Sequence, residues 1–381
     1  MKRNAACAAS VSVVCVLVFA TGLAFADDNG AKTPLIPQLA PLPTFSDSTV
    51  PPNGNVNPYG VGFVPHGFPG GVPLRPGDII VSNFNNSGNL QGTGTTIVRV
   101  NNGTQPTVFF QGETGLGLTT ALAVLQGGIV LVGNLPSTDG SGACIAESGP
   151  NQNVGQGSLL VIDKNGNLVN QLTDSRLLNG PWDLAVRDDG RRAEVFVSNA
   201  LSGTVTRLDL RIVGDGDGDK KDGVIVERET QIASGYLHRC DLAAFVVGPT
   251  GLALDKERDI LYVSSTGDNA IFAIRDASHR TSDAGMGDVV VTDQTRLHGP
   301  LGLALARNGD LISAQGDAVN PDPKQPSEIV EFTAGGQFVS QFSVDSAPGS
   351  AFGLALRPRE DGFVFATVDD TTAVLDIWVV K

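Results

Sequence analysis

The chain has 381 residues, and its 47 Gly and 22 Pro interrupt it too often for a coiled coil or a long helical bundle. With 41% hydrophobic and only 17% charged residues it is no disordered chain either, and it suits a globular protein of many short strands and turns. Acidic residues outnumber basic ones 40 to 26, and the net charge of −14 speaks against nucleic acid as a partner.

Lys2 and Arg3 precede an apolar run over 5–19, and Ala24-Phe25-Ala26 stands just before Asp27. A positive start, a short apolar core and an A-x-A site predict a secretory signal peptide over 1–26. A transmembrane anchor is the rival, but the run is short and ends in small residues. Val13-Val14 before Cys15 argues against a lipidated cysteine. No other stretch approaches the ~20 apolar residues that span a bilayer. The mature chain is therefore expected to be exported, periplasmic or extracellular, without a membrane span. Cleavage leaves 24 basic against 40 acidic residues, a net charge of −16, and only Cys144 and Cys240 as cysteines. In an oxidising compartment such a pair is more often bonded than free. A buried pair of inert thiols is the alternative.

Residues 27–57 carry six Pro, at 34, 37, 41, 43, 51 and 52, and read as a leader. From residue 58 one phrase returns six times: Pro58-Tyr-Gly-Val-Gly-Phe63, Thr119-Thr-Ala-Leu-Ala-Val124, Pro181-Trp-Asp-Leu-Ala-Val186, Pro249-Thr-Gly-Leu-Ala-Leu254, Pro300-Leu-Gly-Leu-Ala-Leu305 and Ala351-Phe-Gly-Leu-Ala-Leu356. Each is followed by a second apolar strand, and a third and fourth fit before the next phrase. Six units of four strands predict an all-β fold, a six-bladed β-propeller of four-stranded antiparallel blades over 58–381. The last unit is short: only 26 residues follow Ala355, enough for three strands. An unpaired outer edge is a liability, so a strand around 42–48 is expected to complete the last blade. An extended Pro-rich tether is the plainer reading of the leader.

Gly-Pro-Thr-Gly-Leu-Ala-Leu and Gly-Pro-Leu-Gly-Leu-Ala-Leu, each followed by a Tyr-Val-Ser or Ile-Ser strand, resemble the NHL-repeat propellers over roughly 58–381. The resemblance implies the fold; that superfamily includes binding modules, lyases and lactonases. The units here are longer, and Asn83, Asn134 and Asn199 stand where such repeats usually carry Asp. These Asn side chains are expected to satisfy backbone at strand ends.

One face, here the top, carries the starts of the innermost strands and the second-to-third strand loops. Its segments 84–94, 135–157, 316–326 and 234–247 are long, while most turns below are tight, which marks the top as the functional face. Cys144 and Cys240 both fall there, so a disulfide between them would tie two loops. On the bottom, the loop 214–223 alternates Asp215, Asp217 and Asp219 as a calcium loop does, with Asp222 a further ligand. It departs from an EF-hand, with Lys220 for the central Gly and Val226 for the closing Glu. A weak structural calcium site and a solvated hairpin loop are the two readings.

No nucleophile elbow, Walker loop, dinucleotide fingerprint, H-E-x-x-H or C-x-x-C is present. His298 and Asp183 are expected at the top mouth of the channel with Tyr59, Trp182 and Phe352. There a ring of His298, Asp183 and Asn side chains would hold a divalent metal, and the aromatics would grip an apolar ligand. Gluconolactonase-like and streptogramin-lyase-like propellers build their sites at this mouth. Here Pro181-Trp-Asp-Leu replaces the Pro-Asn-Gly-Leu of the lactonases. The bland alternative has Asp183 and His298 bonding backbone and Trp182 packing between blades. Two functions follow: a monomeric, exported binding protein for a small molecule, glycan or protein at the top loops, or a metal-dependent lactonase or lyase in the channel. A quinone-dependent dehydrogenase or electron carrier finds no haem-attachment motif.

Overall fold

The computed structural model describes residues 33–70, 73–101, 103–144, 153–213 and 223–381. These residues form six four-stranded antiparallel sheets in a ring, plus a two-stranded hairpin, Arg239–Asp241 with Phe245–Val247. The innermost strands of blades one to six are Val56–Phe63, Leu118–Leu125, Pro181–Asp188, Pro249–Asp255, Pro300–Leu305 and Ala351–Arg359. They carry the six repeated phrases. Among the described residues no helix is long and apolar enough to cross a membrane.

The burial pattern explains why the repeat reads as it does. Middle strands are covered by the neighbouring blade on each face, so they are continuous apolar runs. Ile129–Asn134 and Ser158–Asp163 are buried along their whole length. Outer strands meet solvent, and Leu168–Leu172 is exposed or half-buried throughout. Every innermost strand has a register irregularity three or four residues wide near its start. Here successive blades come closest: a Cβ on Gly353 would lie 1.7 Å from the carbonyl oxygen of Tyr59. That approach demands glycine at position 353.

The ring closes as the short last unit requires. Phe45–Ser48 pairs antiparallel with Val374–Val380, Phe45 opposite Ile377, and becomes the outer strand of blade six. The segment before it is also fastened. Leu35 and Ile36 donate their backbone N–H groups to the two carboxylate oxygens of the buried Glu331, at 2.6 and 2.8 Å. Trp378 Nε1 donates to the Ala40 carbonyl at 2.9 Å. After the strand, the Thr49 carbonyl accepts from Asn83 Nδ2 at 3.0 Å, linking the leader to blade one.

Candidate functional site

Three top segments converge over blades one to three. Gln91 Nε2 donates to the Ala243 carbonyl at 2.8 Å, and Ser137 N–H donates to the Gly92 carbonyl at 2.8 Å. Cys144 and Cys240 form a disulfide, their Cα atoms 5.2 Å apart, joining the second-blade loop to the Arg239–Val247 hairpin. The pairing expected from the sequence is present. The three segments thus make one cross-linked cap.

Beneath the cap lie the aromatic residues singled out in the sequence, packed against each other. Tyr59 stacks on Phe352 at 4.4 Å and on Phe84 at 4.7 Å, and meets Trp182 edge-on at 5.7 Å. Phe245, from the hairpin, closes the cluster edge-on to Phe84 at 5.3 Å. Tyr59, Trp182 and Phe352 are buried, and Phe84 and Phe245 are fully so. Offset and edge-on pairs of this kind add to the stability gained by burial. Gly92 permits the close contact, since a Cβ there would stand 2.7 Å from the Phe245 ring and 2.9 Å from the Ser137 nitrogen.

Below this cluster a central cavity of about 70 Å³ is lined by Val61, Leu122, Asp183, Leu252, Leu303 and Leu354, among others. Water occupies roughly 30 Å³ per molecule in the liquid, so the cavity suits a few waters, well short of the ~300 Å³ of small-molecule pockets. Asp183 is its single titratable lining residue. It replaces the glycine of four other blades, and its carboxylate spans the seam: Oδ2 accepts from Leu252 N–H at 2.9 Å and Oδ1 from Leu184 N–H at 2.8 Å. The side chain touches the cavity but is enclosed by protein. This desolvation pushes its pKa up to about 8 against the pull of the two N–H groups. On the top of blade six, burial and then the charge of Asp369 raise Asp370 to about 7.

His298 is placed with other partners. It is 2% exposed, its N–H bonded to Gln315 Oε1 at 2.9 Å and its Nδ1 facing Glu328 Oε2 at 3.3 Å. Asp317 completes the group, with one ligand atom from each of the three within 4.8 Å of the others. Burial raises the carboxyls of Glu328 and Asp317. Among the described residues Asp183 belongs to no such group. The structure therefore joins Tyr59, Trp182 and Phe352 to one another, and His298 to blade five instead of Asp183.

The strand-end asparagines bond as expected. Asn134 accepts from Gly117 N–H at 2.8 Å, and Asn199 accepts from Asn179 N–H at 3.0 Å while donating to Leu177, Thr204 and Thr206. Gln315 does the same for His298. Asp215, Asp217, Asp219 and Asp222 lie outside the described residues. Phe245, Asp317 and Glu328 were not among the sequence candidates, because each lies in a top loop or link, or on a third strand, outside the repeated phrase.

Large exposed apolar side chains on the top are Leu90, Leu237 and Leu242, the last 79% exposed. All three belong to the segments that form the cap. Phe45, Leu168, Ile225, Val289 and Phe338 sit singly on outer strands, and Leu42 lies just before the first.

No family model matches the sequence, and no curated protein does. Among solved structures, the chain is similar to a gluconolactonase from Xanthomonas campestris, at 14% identity over 86% of this chain and 88% of that one, with a TM-score of 0.50. It is similar to regucalcin, a calcium-binding protein from Agrobacterium tumefaciens, at 13% identity over 88% and 94%, TM-score 0.50. A virginiamycin B lyase from Staphylococcus aureus aligns at 12% identity over 88% and 87%, TM-score 0.45. At these identities what is shared is the six-bladed propeller itself.

Proposed function

We propose that the protein is an exported, monomeric binding module that engages a protein partner through its cross-linked top cap. The observation that carries this reading is the cap itself: a pinned surface exposing Leu90, Leu237 and Leu242 above a mouth filled by aromatic side chains. A small molecule needs a concave pocket, and the central cavity of about 70 Å³ is too small for one. A glycan is favoured by exposed aromatic faces, and the cap's aromatics are buried. Apolar side chains on a rigid support are what a protein interface uses at its centre. The disulfide supports export, since such bonds persist in oxidising compartments.

The test is site-specific photo-crosslinking from positions 237 and 242 in the native exporting host, with position 168 on the outer rim as control. One partner captured from the cap alone, and lost on Leu242→Asp, supports the reading. Equal capture from the rim refutes it. The second reading, a lactonase or lyase in the channel, rests on Asp183, the one ionisable group on the cavity wall. Lactone hydrolysis abolished by Asp183→Asn would establish it. The loop holding Asp215, Asp217, Asp219 and Asp222 is proposed as a weak structural calcium site, tested by calorimetry at millimolar calcium.

A further inference from the structure

We propose that His298, Asp317 and Glu328 form a divalent transition-metal site within blade five. Glu328 is 1% exposed, and its Oε1 has no hydrogen-bond partner; Asp317 Oδ1 is likewise buried and unpartnered. Two orphaned carboxylate oxygens beside a buried imidazole are expensive to bury unless something positive lies between them. A divalent cation neutralises both carboxylates at once and leaves the histidine as a neutral donor.

The group is already held in shape. Asp317 takes a left-handed backbone, φ +55°, and its N–H is bonded to the His298 carbonyl at 2.8 Å. Its other oxygen, Oδ2, accepts from Ser327 N–H at 2.8 Å and Gly349 N–H at 2.9 Å, which fixes the carboxylate. Gln315 fixes the His298 backbone. Such outer partners orient metal ligands. The 3.3 Å from His298 Nδ1 to Glu328 Oε2 is a long hydrogen bond. One imidazole nitrogen with two carboxylate oxygens selects zinc or manganese over the all-oxygen coordination of calcium and magnesium.

The experiment uses the mature protein, stripped with chelator and titrated with zinc chloride, manganese chloride or calcium chloride. Elemental analysis, calorimetry and melting temperature are the readouts. One equivalent of zinc or manganese should bind and raise the melting temperature by several degrees. Glu328→Gln and Asp317→Asn should each weaken binding at least about 100-fold, while the paired change Asp217→Asn with Asp219→Asn leaves it intact. Should the blade-five variants fail to fold, cobalt added to the stripped wild-type protein provides the second measurement. A visible absorption band of histidine–carboxylate coordination supports the site. Absence of stoichiometric zinc or manganese and of that band overturns it, as does metal retained at full affinity in the folded Glu328→Gln and Asp317→Asn proteins. Either outcome leaves the cap's role in binding a partner untouched.

Discussion

Phe245 meets Phe84 edge-on, ring centroids 5.3 Å apart, from a backbone held at φ +65°. A bulky residue is rarely found in that left-handed region, so the contact is kept at some conformational cost. The fully buried ring more than offsets it by filling the mouth of the channel.

Phe245→Ala should therefore lower stability by about 3–5 kcal/mol, the usual loss for emptying a phenylalanine site. Denaturant unfolding measures it. A loss under ~1 kcal/mol means the aromatic cluster is not closed by this side chain.

The cap also depends on its covalent tie. Unfolded, unreduced protein beginning at Asp27 should show no titratable thiol. Replacing Cys144 and Cys240 together by Ser should cost about 2–4 kcal/mol, because the bond closes a long loop with a sequence separation of 96. Two reactive thiols would contradict the pairing.

Asp183 and Asp370, with pKa values raised to about 8 and about 7, set the pH dependence. A carboxyl that is harder to ionise when folded binds its proton more tightly in the folded state. Its contribution is whole below the unfolded value near 4 and is lost as pH rises through the folded value. Stability should decline between about pH 5 and pH 8, and Asp183→Asn should flatten that decline. Carboxylates lowered by hydrogen bonds that outweigh their burial, Asp163 through the Asn167 side chain and Asp241 through backbone N–H groups, act instead below about pH 4. Melting temperatures across this range for wild type and variant decide it; an unchanged slope in the variant removes Asp183 as the cause.

Glu331 ties the leader to blade five. Glu331→Gln turns one of its two acceptors into a donor facing a backbone N–H, an expected loss of about 1–3 kcal/mol. Deleting residues 27–48 removes the same partners and the outer strand of blade six, so the melting temperature should fall further. A truncated protein as stable as the chain that begins at Asp27 would show that the leader contributes nothing to the ring.

Blades, closing strand and disulfide were legible because each leaves a local mark: a period, a missing fourth strand, two remaining cysteines. The asparagines at 134 and 199 were legible as backbone partners because they end repeated strands. The grip of Glu331 on Leu35 and Ile36 was not, since it joins residues almost 300 apart with no shared pattern. His298 was noticed, but its partners Asp317 and Glu328 come from a loop and a third strand outside the repeated phrase. The aromatics were recognised as a set, read either as a grip on a ligand or as packing between blades, and the space beside them is occupied by Phe84 and Phe245. Whether a cluster is a receptacle or a plug depends on what a distant loop inserts into it.

Blade six is assembled from both ends of the ring, and Val379 N–H reaches Thr44 Oγ1 across 335 residues of sequence. Contacts so remote form late, because loop entropy must be lost before they stabilise anything. During synthesis, five blades can pair from their own strands as they emerge. The sixth cannot, and its early strand must wait, unpaired, for the last one. The slowest step of folding should thus be the fastening of this seam, and until then Phe45–Ser48 is a free edge open to a neighbouring chain.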